Sequence, residues 1–347
     1  MKKILIVLIV LTVLVLGSIY SLNYLLDKKE KSLVKEKPVT IGFSMGTTRE
    51  ERWFKDRDFF IKRAKELGAE VIVSLSDFDA EKQAIQIENL ISQGANVIVV
   101  IPSDSKKIEA AIEKANQAGV KVIAYDRLIE NSFIDLYVSF DNVRVGEMQA
   151  ESVLKVVDRG SFAYIGGSPT DHNASLLKQG TMNVLNDKIQ NGDINLVVDK
   201  FTTDWKPDEA YKNIMEYLES DQKLDAVIAA NDGTASGVIQ ALKKKGLDGK
   251  IPVSGQDAEL SAAQRIIAGT QTSTVYKPIN ALAYKVADIA VAMARGESPE
   301  TNTLTNNGKI MVPSYFLTPI LVDKNNMMDT IIKDGFHTYE AVYKVTK

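Results

Sequence analysis

The sequence predicts an α/β protein built as two doubly wound parallel-sheet lobes. Three observations lead there. Apolar runs suited to buried parallel strands recur along the chain, amphipathic helical segments separate them, and nine such runs are too many for one sheet. A length of 347 residues with 45% hydrophobic and 25% charged residues suits one large or two medium domains.

The elements follow in order. Lys2 and Lys3 precede residues 4–26, a span without a charge and dominated by Ile, Leu and Val. As a helix rising about 1.5 Å per residue it reaches across a bilayer core of about 30 Å. Residues 1–26 are therefore expected to be a membrane anchor. A cleaved signal peptide is the alternative, since residues 4–16 match the apolar part of one. Against cleavage, Gly17-Ser18-Ile19-Tyr20-Ser21 sets bulky residues among the small ones, and apolar character resumes through 22–26. Residues 27–37 form a charged linker that ends at Pro38.

From residue 39 the expected strands are 39–43, 70–75, 97–101, 121–125, 162–166, 196–201, 226–230, 252–255 and 272–276. Between them, residues 79–93 place Ala84, Ile87, Leu90 and Ile91 on one helical face. Residues 104–118 read as a helix closed by Gly119. Ligands of open α/β sheets bind beyond the carboxyl ends of the strands. The residues there include Asp126-Arg127, Thr170-Asp171-His172-Asn173, Thr203-Asp204-Trp205, Asn231-Asp232, Gln256-Asp257 and Lys277-Pro278. That set is rich in Asp, Asn, Arg and Lys and poor in nucleophiles, which favours hydrogen-bonded binding over catalysis.

Composition excludes several classes. With no cysteine, disulfides, thiolate nucleophiles and Cys-ligated zinc are ruled out. The two histidines, His172 and His337, leave little room for a histidine-rich metal site. A net charge of −3 gives no basic field for nucleic acid. Neither G-x-G-x-x-G nor G-x-x-x-x-G-K-[ST] occurs, so no nucleotide cofactor is expected. Gly42-Phe43-Ser44-Met45-Gly46 matches the G-x-S-x-G pattern of hydrolases, yet it lies in the first strand and reads better as glycines packing at a strand end. Asp171-His172 reads better as cleft lining than as an acid–base pair. A hydrolase using Ser44 or Asp171/His172 is the alternative function.

The two tryptophans lie among polar and charged residues: Trp53 in Glu51-Arg52-Trp53-Phe54-Lys55, and Trp205 in Thr203-Asp204-Trp205-Lys206-Pro207. Rings in such settings either cap strand ends or present a flat face to a ligand. A sugar offers a C–H face for stacking and hydroxyls for directed hydrogen bonds.

Longer segments carry a resemblance. They include Glu51-Arg52-Trp53-Phe54-Lys55-Asp56-Arg57-Asp58, Ala124-Tyr125-Asp126-Arg127, Ser139-Phe140-Asp141-Asn142, Gly166-Gly167-Ser168-Pro169, Ser254-Gly255-Gln256-Asp257-Ala258, Val275-Tyr276-Lys277-Pro278 and Ile332-Lys333-Asp334-Gly335-Phe336-His337. With these, the chain from residue 39 to 337 resembles the bacterial D-xylose-binding proteins. These are a branch of the type I periplasmic binding proteins, the ribose- and galactose-binding-like group.

The resemblance implies a non-enzymatic binder of D-xylose or a related pentopyranose. It implies that Trp53 and Trp205 sandwich the ring, with Arg52, Lys55, Arg127, Asp171, Asn173, Asn231, Asp257 and Lys277 bonding its hydroxyls. Asp126 and Asp141 are expected to orient Arg127. Two lobes, 38–140 plus 279–312 and 141–278 plus 313–347, would close about crossings near Asp141-Asn142, Lys277-Pro278 and Val312-Pro313. With an anchor in place of a lipid-bearing Cys, the expected partner is a membrane sensor histidine kinase or an ABC permease.

Overall fold

The structure is a computed structural model that describes residues 39–344 together with residues 17, 21 and 22. The anchor and linker expected over residues 1–37 lie outside the described residues, apart from those three. Among the described residues no helix is long and apolar enough to cross a membrane.

Strand β3 (Val97–Ile101) shows why the first sheet forms. All five of its residues, Val-Ile-Val-Val-Ile, are buried. Side chains alternate between the two faces of a strand. Val97, Val99 and Ile101 join one core with helices α1 (Arg52–Glu66) and α9 (Ile279–Ala294). Ile98 and Val100 join the other, with α2 (Ala80–Ser92) and α3 (Glu109–Gln117). A strand covered on both faces needs a continuous apolar run. Around it the sheet runs β10-β11-β5-β4-β3-β1-β2. Its other members are β1 (Val39–Met45), β2 (Ala69–Leu75), β4 (Lys121–Tyr125), β5 (Leu136–Phe140), β10 (Thr303–Asn306) and β11 (Met311–Leu317). Only β10 is antiparallel to its neighbour.

The second lobe centres on β6 (Gly160–Ile165), flanked by β7 (Ile194–Lys200) and β8 (Ala226–Ala229). One face carries α4 (Asn142–Leu154) and α5 (His172–Gln190), the other α6 (Pro207–Leu218) and α7 (Asp232–Lys244). Single bridges, Val227 to Val253 and Gln256 to Val275, extend the sheet to β9 (Thr274–Tyr276), which pairs antiparallel with β12 (Ile320–Val322). Helix α8 (Leu260–Ala268) and the C-terminal α10 (Tyr339–Tyr343) pack nearby.

Several expectations need correction. Residues 252–255 make one bridge, not a strand: Pro252 has no N–H to donate, and the Val253 N–H goes to the Thr272 hydroxyl. The helix expected from 104 begins at Glu109, because the Asp104 carboxylate takes the N–H groups of Lys106 and Lys107 into a turn. The third crossing is not at Val312-Pro313. Pro313 lies inside β11, whose residues 314–317 pair with β5, so the chain leaves the first sheet only after Leu317. A proline deprives a strand of one donated bond and need not end it.

Candidate functional site

Helix α1 starts one short loop after β1 and turns Arg52, Trp53 and Asp56 inward. Arg52 is buried and its guanidinium is shared three ways. Nε meets Asp56 at 3.1 Å, Nη2 meets Asp126 at 2.9 Å, and Nη1 meets Asp257 at 3.3 Å. Burial opposes its charge, but the three carboxylates outweigh that and hold its pKa well above the usual value. Burial also opposes ionisation of Asp126; Arg52, Lys277 and Arg127 together more than offset it, so that carboxyl sits below its ordinary range. For Asp56 burial wins over Arg52, and nearby Asp126 adds to the rise. The two differ because three cations, Arg52, Lys277 and Arg127, act strongly on Asp126, whereas Arg52 is the cation that dominates at Asp56.

The second lobe supplies the facing wall. Asp171 caps α5, its Oδ1 accepting from Asn173 N at 3.0 Å. Its Oδ2 meets Arg127 Nε at 2.8 Å and accepts from the Trp205 indole at 3.2 Å. Asn173 Nδ2 donates across the cleft to the Asp126 carbonyl at 3.1 Å. Asn231 caps α7 in a reciprocal box with Thr234. Lys277, where the chain crosses between lobes, meets Asp257 at 3.0 Å.

Backbone strain gathers here. Asp126, Asp204, Trp205, Asp257 and Ala258 all have φ between 51° and 87°. Such conformations persist in non-glycine residues only when the surroundings enforce them. Around Asp257 they do. Its N–H donates to the Val275 carbonyl, the Ala258 N–H to the Thr274 hydroxyl, and the Glu259 N–H to Asp232. Asp232 also accepts from Gln271 and Thr274, and burial pushes its carboxyl up to about 7. Burial pushes Glu259 up to about 8, with Asp232 and Asp257 adding to the rise. Trp205 lies flat on the backbone of Gly167, where a Cβ would come within 2.2 Å of the ring.

Ten of the eleven expected site residues line one cleft between the lobes: Arg52, Trp53, Asp126, Arg127, Asp171, Asn173, Trp205, Asn231, Asp257 and Lys277. The eleventh, Lys55, does not line it. Three residues on from Arg52, it pairs with Glu51 at 2.9 Å and donates to the Phe336 carbonyl at 3.1 Å. Asp141 does not orient Arg127 either; its carboxylate caps its own helix by accepting from Arg144 N. Asp126 faces Arg52 first. Two lining residues were given no role from the sequence, Glu50 and Gln256, the latter named only among the strand-end residues; each has one buried oxygen lacking a hydrogen-bond partner among the described residues. Gln256 adjoins Asp257, and Glu50 lies two residues before Arg52 in the loop after β1, which was the signal available.

The alternative chemistry finds no support. Ser44 is fully buried and accepts from Gln83, Asp171 is engaged by Arg127 and Trp205, and His172 faces Glu130 at 3.6 Å.

Comparison with known proteins places this geometry. Residues 41–298 match the periplasmic binding protein domain. The D-xylose-binding periplasmic protein of Escherichia coli (strain K12) is 48% identical over 303 residues, covering 87% of this chain and 92% of that protein. The protein of the same name from Haemophilus influenzae is 46% identical over 313 residues, covering 90% and 94%. Among solved structures, a carbohydrate transporter solute binding protein from Chloroflexus aurantiacus in complex with D-glucose aligns with a TM-score of 0.81 at 30% identity, covering 88% of this chain and 98% of that one. The chain belongs to the periplasmic binding protein family, in its type I sugar-binding branch, and is a binding protein rather than an enzyme.

Proposed function

We propose that this protein binds D-xylose, or a closely related pentopyranose, between its two lobes on the outer side of the cytoplasmic membrane. The observation that carries the reading is the cavity itself. Two indoles, three cations and four carboxylates converge on one cleft between the lobes. Aromatic faces suit the C–H side of a pyranose, and paired donors and acceptors suit its hydroxyls. The cations Arg52, Arg127 and Lys277 are each held by carboxylates, so the site suits an uncharged polyol. The names of the two relatives support D-xylose; the D-glucose in the solved structure makes a hexose the competitor to exclude. In this reading Trp53 and Trp205 flank the ring, and Arg52, Arg127, Asp171, Asn173, Asn231, Asp257 and Lys277 bond its hydroxyls. Asp126 holds Arg52 in place. Lys55 acts at the rim between lobes.

Titration calorimetry with D-xylose, D-ribose, L-arabinose, D-glucose and D-galactose tests the ligand. D-Xylose is expected to bind tightest; no binding to any sugar, or preference for a hexose, would overturn the reading.

The closed form delivers sugar to an ABC permease, a role the transporter-associated relatives support. A second reading, signalling to a sensor histidine kinase, draws on the uncharged span of residues 4–26, which suits a permanent anchor. Resistance of the protein to alkaline extraction from membranes is the expected mark of the anchor. A pull-down from membranes with and without D-xylose identifies the partner: recovery of a permease supports import, recovery of a kinase supports signalling.

A further inference from the structure

Glu50 lines the cavity, yet the assignment of roles above leaves its chemistry unused. It stands in the loop between β1 and α1, is 6% exposed, and shares the wall with Trp53 and Arg127. Its two carboxylate oxygens have unlike surroundings. Oε2 accepts a 2.6 Å hydrogen bond from the Trp53 indole N–H. Oε1 is buried and meets no donor among the described residues. Arg127 is near enough to act on Glu50 electrostatically, but its Nε is held by Asp171 at 2.8 Å. Burial dominates and pushes the Glu50 carboxyl up. A buried oxygen without a donor carries a desolvation cost that its neighbour's hydrogen bond does not recover. Buried polar groups are nearly always partnered, so an exception at a cavity wall asks for its partner.

We propose that Glu50 contacts the ligand directly and determines specificity: Oε1 accepts a hydrogen bond from one sugar hydroxyl while Oε2 fixes the edge of the Trp53 ring. This rests on the sugar-binding reading above. An ionised carboxylate has acceptors only, so the group facing it must donate. An analogue with hydrogen at that carbon leaves Oε1 bare and is rejected. One side chain thereby ties the stacking ring and one hydroxyl into a single geometry.

The test uses the whole chain, the Glu50→Gln variant, D-xylose and its 2-, 3- and 4-deoxy analogues in titration calorimetry. Glutamine keeps an oxygen for the Trp53 indole and sets an NH2 group where Oε1 stood. Glu50→Gln is expected to weaken D-xylose binding about 10- to 100-fold. For one deoxy analogue alone that penalty should vanish, which identifies the hydroxyl concerned. Equal affinity of variant and parent for D-xylose would overturn the proposal. So would a penalty of the same size for all three analogues, which is what a role confined to holding Trp53 produces. If the variant does not fold, the carboxyl 13C resonance of Glu50 in the unmodified chain decides. A shift on saturation with D-xylose supports the contact, and an unmoved resonance overturns it. Failure of the unmodified chain to bind any sugar would overturn the sugar reading and this proposal with it.

Discussion

Arg52 holds Asp56, Asp126 and Asp257 with one guanidinium, and all four groups are buried. Removing one member of a buried ion network leaves the others uncompensated, at a cost of about 3–5 kcal/mol. Arg52→Met is expected to lower stability by that order, read as a fall in the urea midpoint at pH 7. The carboxyls behind the ligand loop act in the opposite sense with pH. Asp232 at about 7 and Glu259 at about 8 bind protons more tightly folded than at their ordinary 3.8 and 4.5. Their contribution is complete below those ordinary values and is lost as pH rises through about 7 and about 8. Asp126, held low, contributes above its ordinary 3.8 and loses that as pH falls further. Urea midpoints should therefore decline between pH 5 and pH 8, and Asp232→Asn should flatten the decline; an unchanged slope would refute the assignment. Most of these site residues were legible because they follow apolar runs and carry hydrogen-bonding groups. Lys55 instead meets Glu51 and the Phe336 carbonyl, the second a contact from far along the chain that local sequence does not show. Glu50 was missed because a loop glutamate reads as solvated until the fold buries it.

At the scale of elements, α4 and α5 cross in backbone contact at Gly146 and Gly180. A Cβ on Gly180 would lie 1.9 Å from the Val143 carbonyl oxygen, and one on Gly146 would lie 2.0 Å from that of Leu177. Carbonyl oxygens inside helices cannot step aside as a side-chain tip can. Gly180→Ala should cost about 1–3 kcal/mol by overpacking, seen as a lower urea midpoint, whereas alanine inside an isolated helix is favourable. A stabilised variant would show that the helices slide apart at little cost. Among the strands read correctly from sequence, β3 and β4 stand out for an unbroken apolar run. Missed were β5, whose run is interrupted by Ser139, and β10, β11 and β12, which are short, partly exposed or contain proline. Local pattern is weakest where a strand owes its place to a neighbour from far along the chain. β11 is such a strand, since its register is set by β5.

For the molecule as a whole, the α/β plan of parallel sheets was legible from the count of strand–helix units. The third crossing was placed too early because a proline was read as a break, though β11 runs through Pro313. Contacts that span the lobes cluster at the cleft: Arg52 with Asp257, Arg127 with Asp171, and Leu260 N with Glu51. The charged side chains of the first two are at most 7% exposed. Dissolved ions screen charges in water over a Debye length of about 8 Å at physiological strength, but reach buried pairs far less. An uncharged ligand adds no long-range attraction for salt to weaken. The dissociation constant for D-xylose should therefore change less than about twofold between 0.05 and 1 M NaCl by titration calorimetry; a tenfold loss would mean that the cleft charges are hydrated. A protein working outside the cytoplasm meets fresh, brackish or drying surroundings whose salinity the cell does not set. By sealing its charges between the lobes, this one would keep the same appetite for sugar in all of them.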